Sequence, residues 1–318
     1  MITFIVSAVR IGMSLLFGST GETLTEKSGH LNLGIPGIMC VGAACGCVAE
    51  SVYTTAIGGY EFINPILAVL IPILASFIGG ALLGLVYSFL TVSLRANQNV
   101  TGLALTTLGV GISTYMISQV KAATYANASK YFTASLPFAS KLGWFGEIFL
   151  SYGVMIYIAI AIALFSTYVL KHTKVGLNLR AVGENPATAD AAGISVTRYR
   201  YVATFLGSGI AALGGLCYIM DNLNGNWEYT TDAIGWLAIA LVIFTVWRPN
   251  IGIIGSIIFG ALYIASSYIS GVAFNQKAIL KMLPYVVTII VLVITSMRKK
   301  KETQPPQSLG LPYFREER

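Results

Sequence analysis

Residues 64–91, NPILAVLIPILASFIGGALLGLVYSFLT, contain no charged side chain. A helix rises 1.5 Å per residue, so roughly 20 mostly apolar residues cross a hydrocarbon core about 30 Å thick. This stretch is long enough to span a bilayer. Its interior glycines suit close helix packing, because lipid supplies no hydrophobic drive for helices to associate. Outward from it, comparable apolar windows fall at about 2–19, 35–52, 100–120, 151–170, 202–220, 233–247, 252–269 and 283–297. The 318-residue chain is 55% hydrophobic and only 10% charged, whereas soluble chains carry about 25% charged residues. The expectation is an all-α, polytopic transmembrane bundle of about nine spans, between about eight and ten. A barrel would instead show short alternating strands.

The first residues, MITFIVSAVRIGMSLLFGSTGE, have no basic start and no A-x-A cleavage pattern, so they read as an uncleaved first span. Arg10 is costly at that depth. It either snorkels or pairs inside the bundle, or it serves transport. Cys40, Cys45, Cys47 and Cys217 all lie in apolar windows without CxxC spacing or a neighbouring histidine, which predicts packing roles.

The formal net charge is +7. Most basic residues sit between spans and in the tail, so membrane topology accounts for them without nucleic acid. Arg298, Lys299, Lys300 and Lys301, and the group Lys171, Lys174, Arg180, Arg198 and Arg200, are both expected on the cytoplasmic side. Counting spans back from these anchors places Arg248 and Arg95 inside too. The N-terminus is then outside, the C-terminus cytoplasmic, and the external loops at about 121–150, 221–232 and 270–282 hold no arginine. Only Lys121, Lys130, Lys141, Lys277 and Lys281 oppose this arrangement. Residues 1–298 form one transmembrane domain with a cytoplasmic loop at about 174–200. Residues 299–318, KKKETQPPQSLGLPYFREER, read as an extended cytoplasmic arm.

The chain has no G-x-x-x-x-G-K-[ST] phosphate loop. With His30 and His172 as its only histidines, it also lacks H-E-x-x-H and G-x-S-x-G. No enzymatic role, cofactor or metal is expected. A carrier driven by protons or sodium would bury acids inside its spans. The apolar windows contain almost none; acids cluster instead at Glu22, Glu26, Glu184, Asp190, Asp221, Glu228 and Asp232, in loops or at span ends. Energy is therefore expected from a partner protein.

Two polar segments are candidate sites. In the 174–200 loop, Glu184 precedes Asn185 as N-cap and Pro186 at the first helical position. Ala187 to Ala192, including Ala189 and Asp190, give one or two small-residue turns before Gly193 ends them. Such a turn lets a partner's groove approach closely, or is a plain connector. For a substrate path, Asn97, Gln98, Asn99 and Thr101, with Asn32, interrupt apolar sequence. Amides suit a neutral ligand with many hydrogen bonds, such as a nucleoside, but each can equally cap its own helix. The run DNLNGNWE at 221–228 either contacts an external binding protein or is simply a polar loop.

The stretch GLNLRAVGENPATADAAGISVTRYRYVATFLGSGIAALGG at 176–215 resembles a signature of ABC-importer permeases of the branched-chain amino acid, ribose and nucleoside class. GETLTEKSGHLNLGIPGIMCVGA at 21–43 resembles the other signature of that class. SLRANQNVTGLALT at 93–106, WRPNIGIIGSIIFGA at 247–261 and SLGLPYFREER at 308–318 resemble the narrower branch that works with basic membrane lipoprotein-type binding proteins. Relatives usually have glutamate where this chain has Pro36, and the larger permeases of paired systems have a longer N-terminal region. The chain thus resembles the smaller partner of a heterodimer. The resemblance implies a bacterial plasma-membrane complex with an ABC ATPase subunit, a second paralogous permease and an extracellular substrate-binding lipoprotein. It assigns 184–193 as the element coupled to the ATPase and nucleosides as the cargo. A sugar or riboflavin is the alternative within the class, and an autonomous secondary carrier the alternative outside it.

Overall fold

The computed structural model describes residues 2–135, 143–227, 231–269, 274–298 and 304–315. Among these residues every regular element is helical. The first four helices are α1 (Ile2–Glu26), α2 (Ile35–Ala56), α3 (Pro65–Ser88) and α4 (Gln98–Ser118). Three short helices follow, α5 (Ala122–Ala126), α6 (Ser129–Phe132) and α7 (Gly143–Phe149). Then come α8 (Val154–His172), α9 (Lys174–Glu184), α10 (Pro186–Ala191) and α11 (Val196–Cys217). The chain continues through α12 (Thr231–Phe244), α13 (Pro249–Tyr268), α14 (Phe274–Lys281) and α15 (Leu283–Arg298). A π-helical turn prolongs α3 over Phe89–Ser93, and another prolongs α11 over Tyr218–Asn222.

Seven helices among the described residues are long and apolar enough to cross a membrane: α1, α2, α3 and α11 with their π turns, α4, α8 and α13. Two shorter helices fall on the remaining apolar windows. α12 has 14 residues and α15 has 16. At 1.5 Å per residue they reach about 21 and 24 Å, short of a core about 30 Å thick. The helix-bundle reading holds. The windows find nine apolar helices, of which seven meet the length of a span.

The centre of the bundle is α1, α2 and α11. α1 packs on α11, α12 and α13, while α2 packs on α3, α4 and α11. Small residues let these backbones meet. A Cβ added to Gly109 of α4 would lie 2.6 Å from the carbonyl oxygen of Gly37 in α2, so any side chain there would push the two helices apart. The outer faces of α3, α4, α8 and α15 carry exposed apolar side chains, among them Ile66, Leu74, Tyr115, Phe165 and Ile289. That is the surface lipid solvates.

Four carboxyls, those of Glu22, Glu26, Glu50 and Asp221, are at most 3% exposed within helices. This corrects the expectation that the spans hold almost no buried acid. Each burial has a local reason. Asp221 sits 3.9 Å from the Arg10 guanidinium, so Arg10 is paired inside the bundle. Asn222 reinforces that contact, its Nδ2 donating to Arg10 O at 3.4 Å and to Ser14 Oγ at 3.1 Å. Glu50, inside α2, accepts from Thr54 Oγ1. Cys40, Cys47 and Cys217 are buried, Cys45 is half-buried, and all four are free thiols.

Two expected loops are more ordered than their polarity suggested. The helix of α1 runs on through Glu26, and the 174–200 segment is almost wholly helical. The arm expected to extend from the bundle instead folds back over residues 304–315 and packs on it. Lys141, Glu228 and Lys299 to Lys301 lie outside the described residues, as do residues 270–273 of the expected external loop.

Candidate functional site

At one end of the bundle α9 and α10 form a helical elbow. Thr173 opens α9, its Oγ1 accepting from Gly176 N at 3.1 Å. Asn185 ends α9 in an extended conformation, and its Oδ1 accepts from Thr188 N at 3.0 Å, which caps α10 with Pro186 next in line. Gly193, at φ +83°, turns the chain out of α10, and Ile194 N closes the turn by donating to Ala189 O at 3.0 Å. Ser195 caps α11 through Arg198 N.

One expectation here needs correcting. The turn is expected to let a partner's groove approach closely, but Ala189 within it is 3% exposed and packs with Val182, Val196 and Tyr313. On a helix of uniformly small residues the inward face has no apolar signal of its own. Within residues 184–193 the exposed residues are Glu184, Asn185, Thr188, Ala191, Ala192 and Gly193, with Asp190 half-buried.

Beneath the elbow lies the break between α1 and α2, residues 27–34, a knot of buried polar groups that draws hydrogen bonds from several elements, although Glu22 Oε2, His30 Nε2 and Asn32 Nδ2 find no partner among the described residues. Asn32 is fully buried; its N–H donates to Glu22 Oε1 at 3.0 Å, and its Oδ1 accepts from Gly34 N at 2.9 Å. The Trp247 indole N–H donates to Glu26. Val246 and Trp247 both adopt φ +54° to deliver that indole, a conformation that costs on the order of 1–3 kcal/mol per non-glycine residue. His30 Nδ1 lies 3.2 Å from Thr204 Oγ1, with its ring edge-on to Tyr87 at 5.9 Å. Burial, and then the Arg200 charge, hold His30 well below its ordinary pKa, so it is neutral. Burial likewise lowers the Lys27 pKa, opposed by the charge of Glu184.

The candidate pathway residues separate. Asn97 caps α4, its Oδ1 accepting from Val100 N at 3.1 Å, and Asn99 is exposed. Thr101 is buried on the face of α4 that also carries Gln98 and Leu105. Gln98 is 3% exposed, and both ends of its amide are engaged: Oε1 accepts from Leu31 N at 2.8 Å, and Nε2 donates to Leu311 O at 3.4 Å. Gln98 and Asn32 thus meet on the 27–34 break. Asn97 and Asn99 do not join them.

Sequence reasoning missed the returning tail. Ser308 N and Oγ both donate to Gly183 O, at 3.0 and 2.6 Å, and Gly310 N donates to Gly29 O at 3.2 Å. Tyr313 OH donates to Asp190 Oδ2 at 2.8 Å, and Arg315 Nε stands 3.1 Å from the same oxygen. The Arg95 guanidinium lies over the Phe314 ring at 4.7 Å. Residues 308–315 therefore strap the elbow to the 27–34 break and to the start of α4. The available signal was the apolar and aromatic run LGLPYF inside an otherwise charged tail.

Comparison with known proteins adds an independent reading. The family model for "Branched-chain amino acid transport system / permease component" matches residues 4–292. The nucleoside ABC transporter permease protein NupC of Lactococcus lactis subsp. cremoris is 32% identical over 290 residues, 88% of this chain and 88% of that one. The guanosine ABC transporter permease protein NupQ of Bacillus subtilis is 29% identical over 312 residues, 96% and 94% of the two chains. A putative glucose ABC transporter permease protein, TsgC13 of Haloferax volcanii, is 31% identical over 265 residues, 80% and 74%.

Proposed function

From the premise that this chain belongs to the family of permease components of branched-chain amino acid transport systems, we propose that it is the ABC-importer subunit through which nucleosides cross the membrane. It is a multi-pass membrane permease, and its class of transporter works with an ATPase and a substrate-binding protein. The observation that carries the nucleoside reading is the similarity to NupC and NupQ along 88% and 96% of the chain. Sugar is the second reading, favoured by the likeness to TsgC13.

The finer assignments rest on the residues. The elbow at Glu184 to Gly193 is the element on which the ATPase acts, with Asn185 and Pro186 fixing its start. Its capped six-residue helix and small exposed side chains support this reading. The arginine distribution supports a cytoplasmic position for the elbow and the tail, with the N-terminus outside. Transport in this account needs no covalent chemistry on the cargo: closure of the ATPase pulls the elbow, and the elbow moves α11 and the 27–34 break. A second permease and an external lipoprotein complete the proposed complex.

Uptake of labelled guanosine and labelled glucose by cells with and without the gene tests the cargo. Loss of guanosine uptake alone is expected on deletion. Loss of glucose uptake with guanosine uptake intact would replace the nucleoside reading by the sugar one.

A further inference from the structure

Between the start of α11, the end of α3, the elbow and the strap lies a polar pocket of about 250 Å³. Three arginines line it: Arg95 after the α3 π turn, Arg200 from the first turns of α11, and Arg315 from the strap. Asp190 is the acid on its wall, and Tyr313 and Arg315 already engage that carboxylate. Among the described residues no carboxylate lies within ion-pair distance of Arg95 or Arg200.

Arg200 carries the argument furthest. It is 2% exposed, and a buried guanidinium is costly unless paired. Its Nη2 reaches only Leu311 O, at 3.5 Å, and its buried Nε has no hydrogen-bond partner among the described residues. A charge so placed, lining a cavity, lacks the anion that would balance it. The pocket also holds the first turn of the 22-residue helix α11, where Ser195, Val196 and Thr197 line the wall. First-turn N–H groups have no intrahelical acceptor and favour negative charge. Arg95 is held at φ +57°, outside the usual range for a side-chain-bearing residue, where it faces the same cavity.

We propose that this pocket binds a phosphate-bearing anion, gripped by Arg95, Arg200 and Arg315 over the N-terminus of α11. Planar guanidinium groups match phosphate oxygens in pairs, and the hydroxyl of Thr197 supplies a further donor. The volume is below the roughly 300–1,000 Å³ of pockets for drug-sized ligands, which suits a single phosphate group. Val92 in the wall and the exposed Leu94 beside it put the pocket at the end of a membrane-spanning helix. The phosphate therefore comes either from a lipid headgroup or from solution. Bound there, it joins the strap to α11 and α3 and holds the strap over the elbow. The inference does not depend on the identity of the cargo.

The test uses the full chain in nanodiscs. One arm titrates inorganic phosphate against chloride at equal ionic strength in phosphatidylcholine discs. The other replaces part of the phosphatidylcholine with phosphatidic acid. The readouts are native mass spectrometry of retained phosphate or lipid and hydrogen exchange of the amides at 304–315. Binding is expected in one arm, with slowed exchange of the strap; the responding arm identifies the source. Arg95→Gln and Arg315→Gln should each weaken binding about tenfold or more, the loss of one charge-assisted contact. These two exposed sites carry the test, because Arg200 is buried and its replacement also alters packing. No binding in either arm, or wild-type binding by both Arg95→Gln and Arg315→Gln, would overturn the proposal.

Discussion

Gln98→Leu separates a structural role from a transport role at the residue where the two readings diverge. In the structure the Gln98 amide spends both ends inside the protein, on Leu31 N at 2.8 Å and on Leu311 O at 3.4 Å. Leucine fills the volume but leaves the Leu31 N–H without an acceptor in a buried setting, which costs about 1–3 kcal/mol. The second contact lies beyond the usual 2.7–3.2 Å range, so its loss adds roughly 0.5 kcal/mol at most. Together about 2 kcal/mol is lost, a factor of about 30 in the equilibrium that keeps the 27–34 break and the strap docked. Thermal unfolding of the purified chain should shift down, and amides at 308–315 should exchange faster, while uptake per assembled complex stays near wild type. Wild-type stability and strap protection together with impaired nucleoside uptake per complex would refute this and restore Gln98 to the substrate path.

Other perturbations follow from the same geometry. Ala191→Arg, on the exposed side of the elbow, should abolish uptake without loss of membrane insertion, whereas Ala189→Arg should lower the amount of folded protein, because Ala189 is packed against Val182 and Val196; quantifying inserted protein and uptake for both variants distinguishes them. Trp247→Phe leaves Glu26 without its indole donor and should destabilise the chain by about 1–3 kcal/mol, read from the denaturation midpoint in detergent. His30 is held neutral by a depressed pKa; an unfolded histidine gains its proton near pH 6.5, so the unfolded state binds more protons below that value and stability falls as pH drops through about 6.5 toward 5. His30→Gln should flatten that part of the stability curve, and an unchanged slope would assign the acid sensitivity to other groups.

Much of the bundle was legible because lipid imposes a simple rule: a spanning helix must be long and apolar, and such windows are visible residue by residue. The start and end of α10 were legible for a comparable reason, since Asn185, Pro186 and Gly193 each have few places in a helix where they are not penalised. What could not be read was direction. Ala189 and Ala191 are chemically identical, and only the packing of Val182, Val196 and Tyr313 decides which faces inward. Buried acids were hidden for a different reason. Glu22 and Glu26 look like loop residues until Asn32 N and the Trp247 indole, both from outside α1, are seen to donate to them. The tail misled by composition: five basic and acidic residues at 299–302 and 315 obscure the Leu309, Leu311, Tyr313 and Phe314 side chains between them.

The account stands on the elbow being the cytoplasmic element that a partner ATPase grips. Whole-cell labelling of Ala191→Cys with a membrane-impermeant thiol reagent, paired with cross-linking from the same position in the assembled transporter, tests that directly. The account predicts no labelling from outside and a cross-link to the ATPase subunit. Labelling from outside, or an assembled, active complex with no adduct to the ATPase, would contradict it.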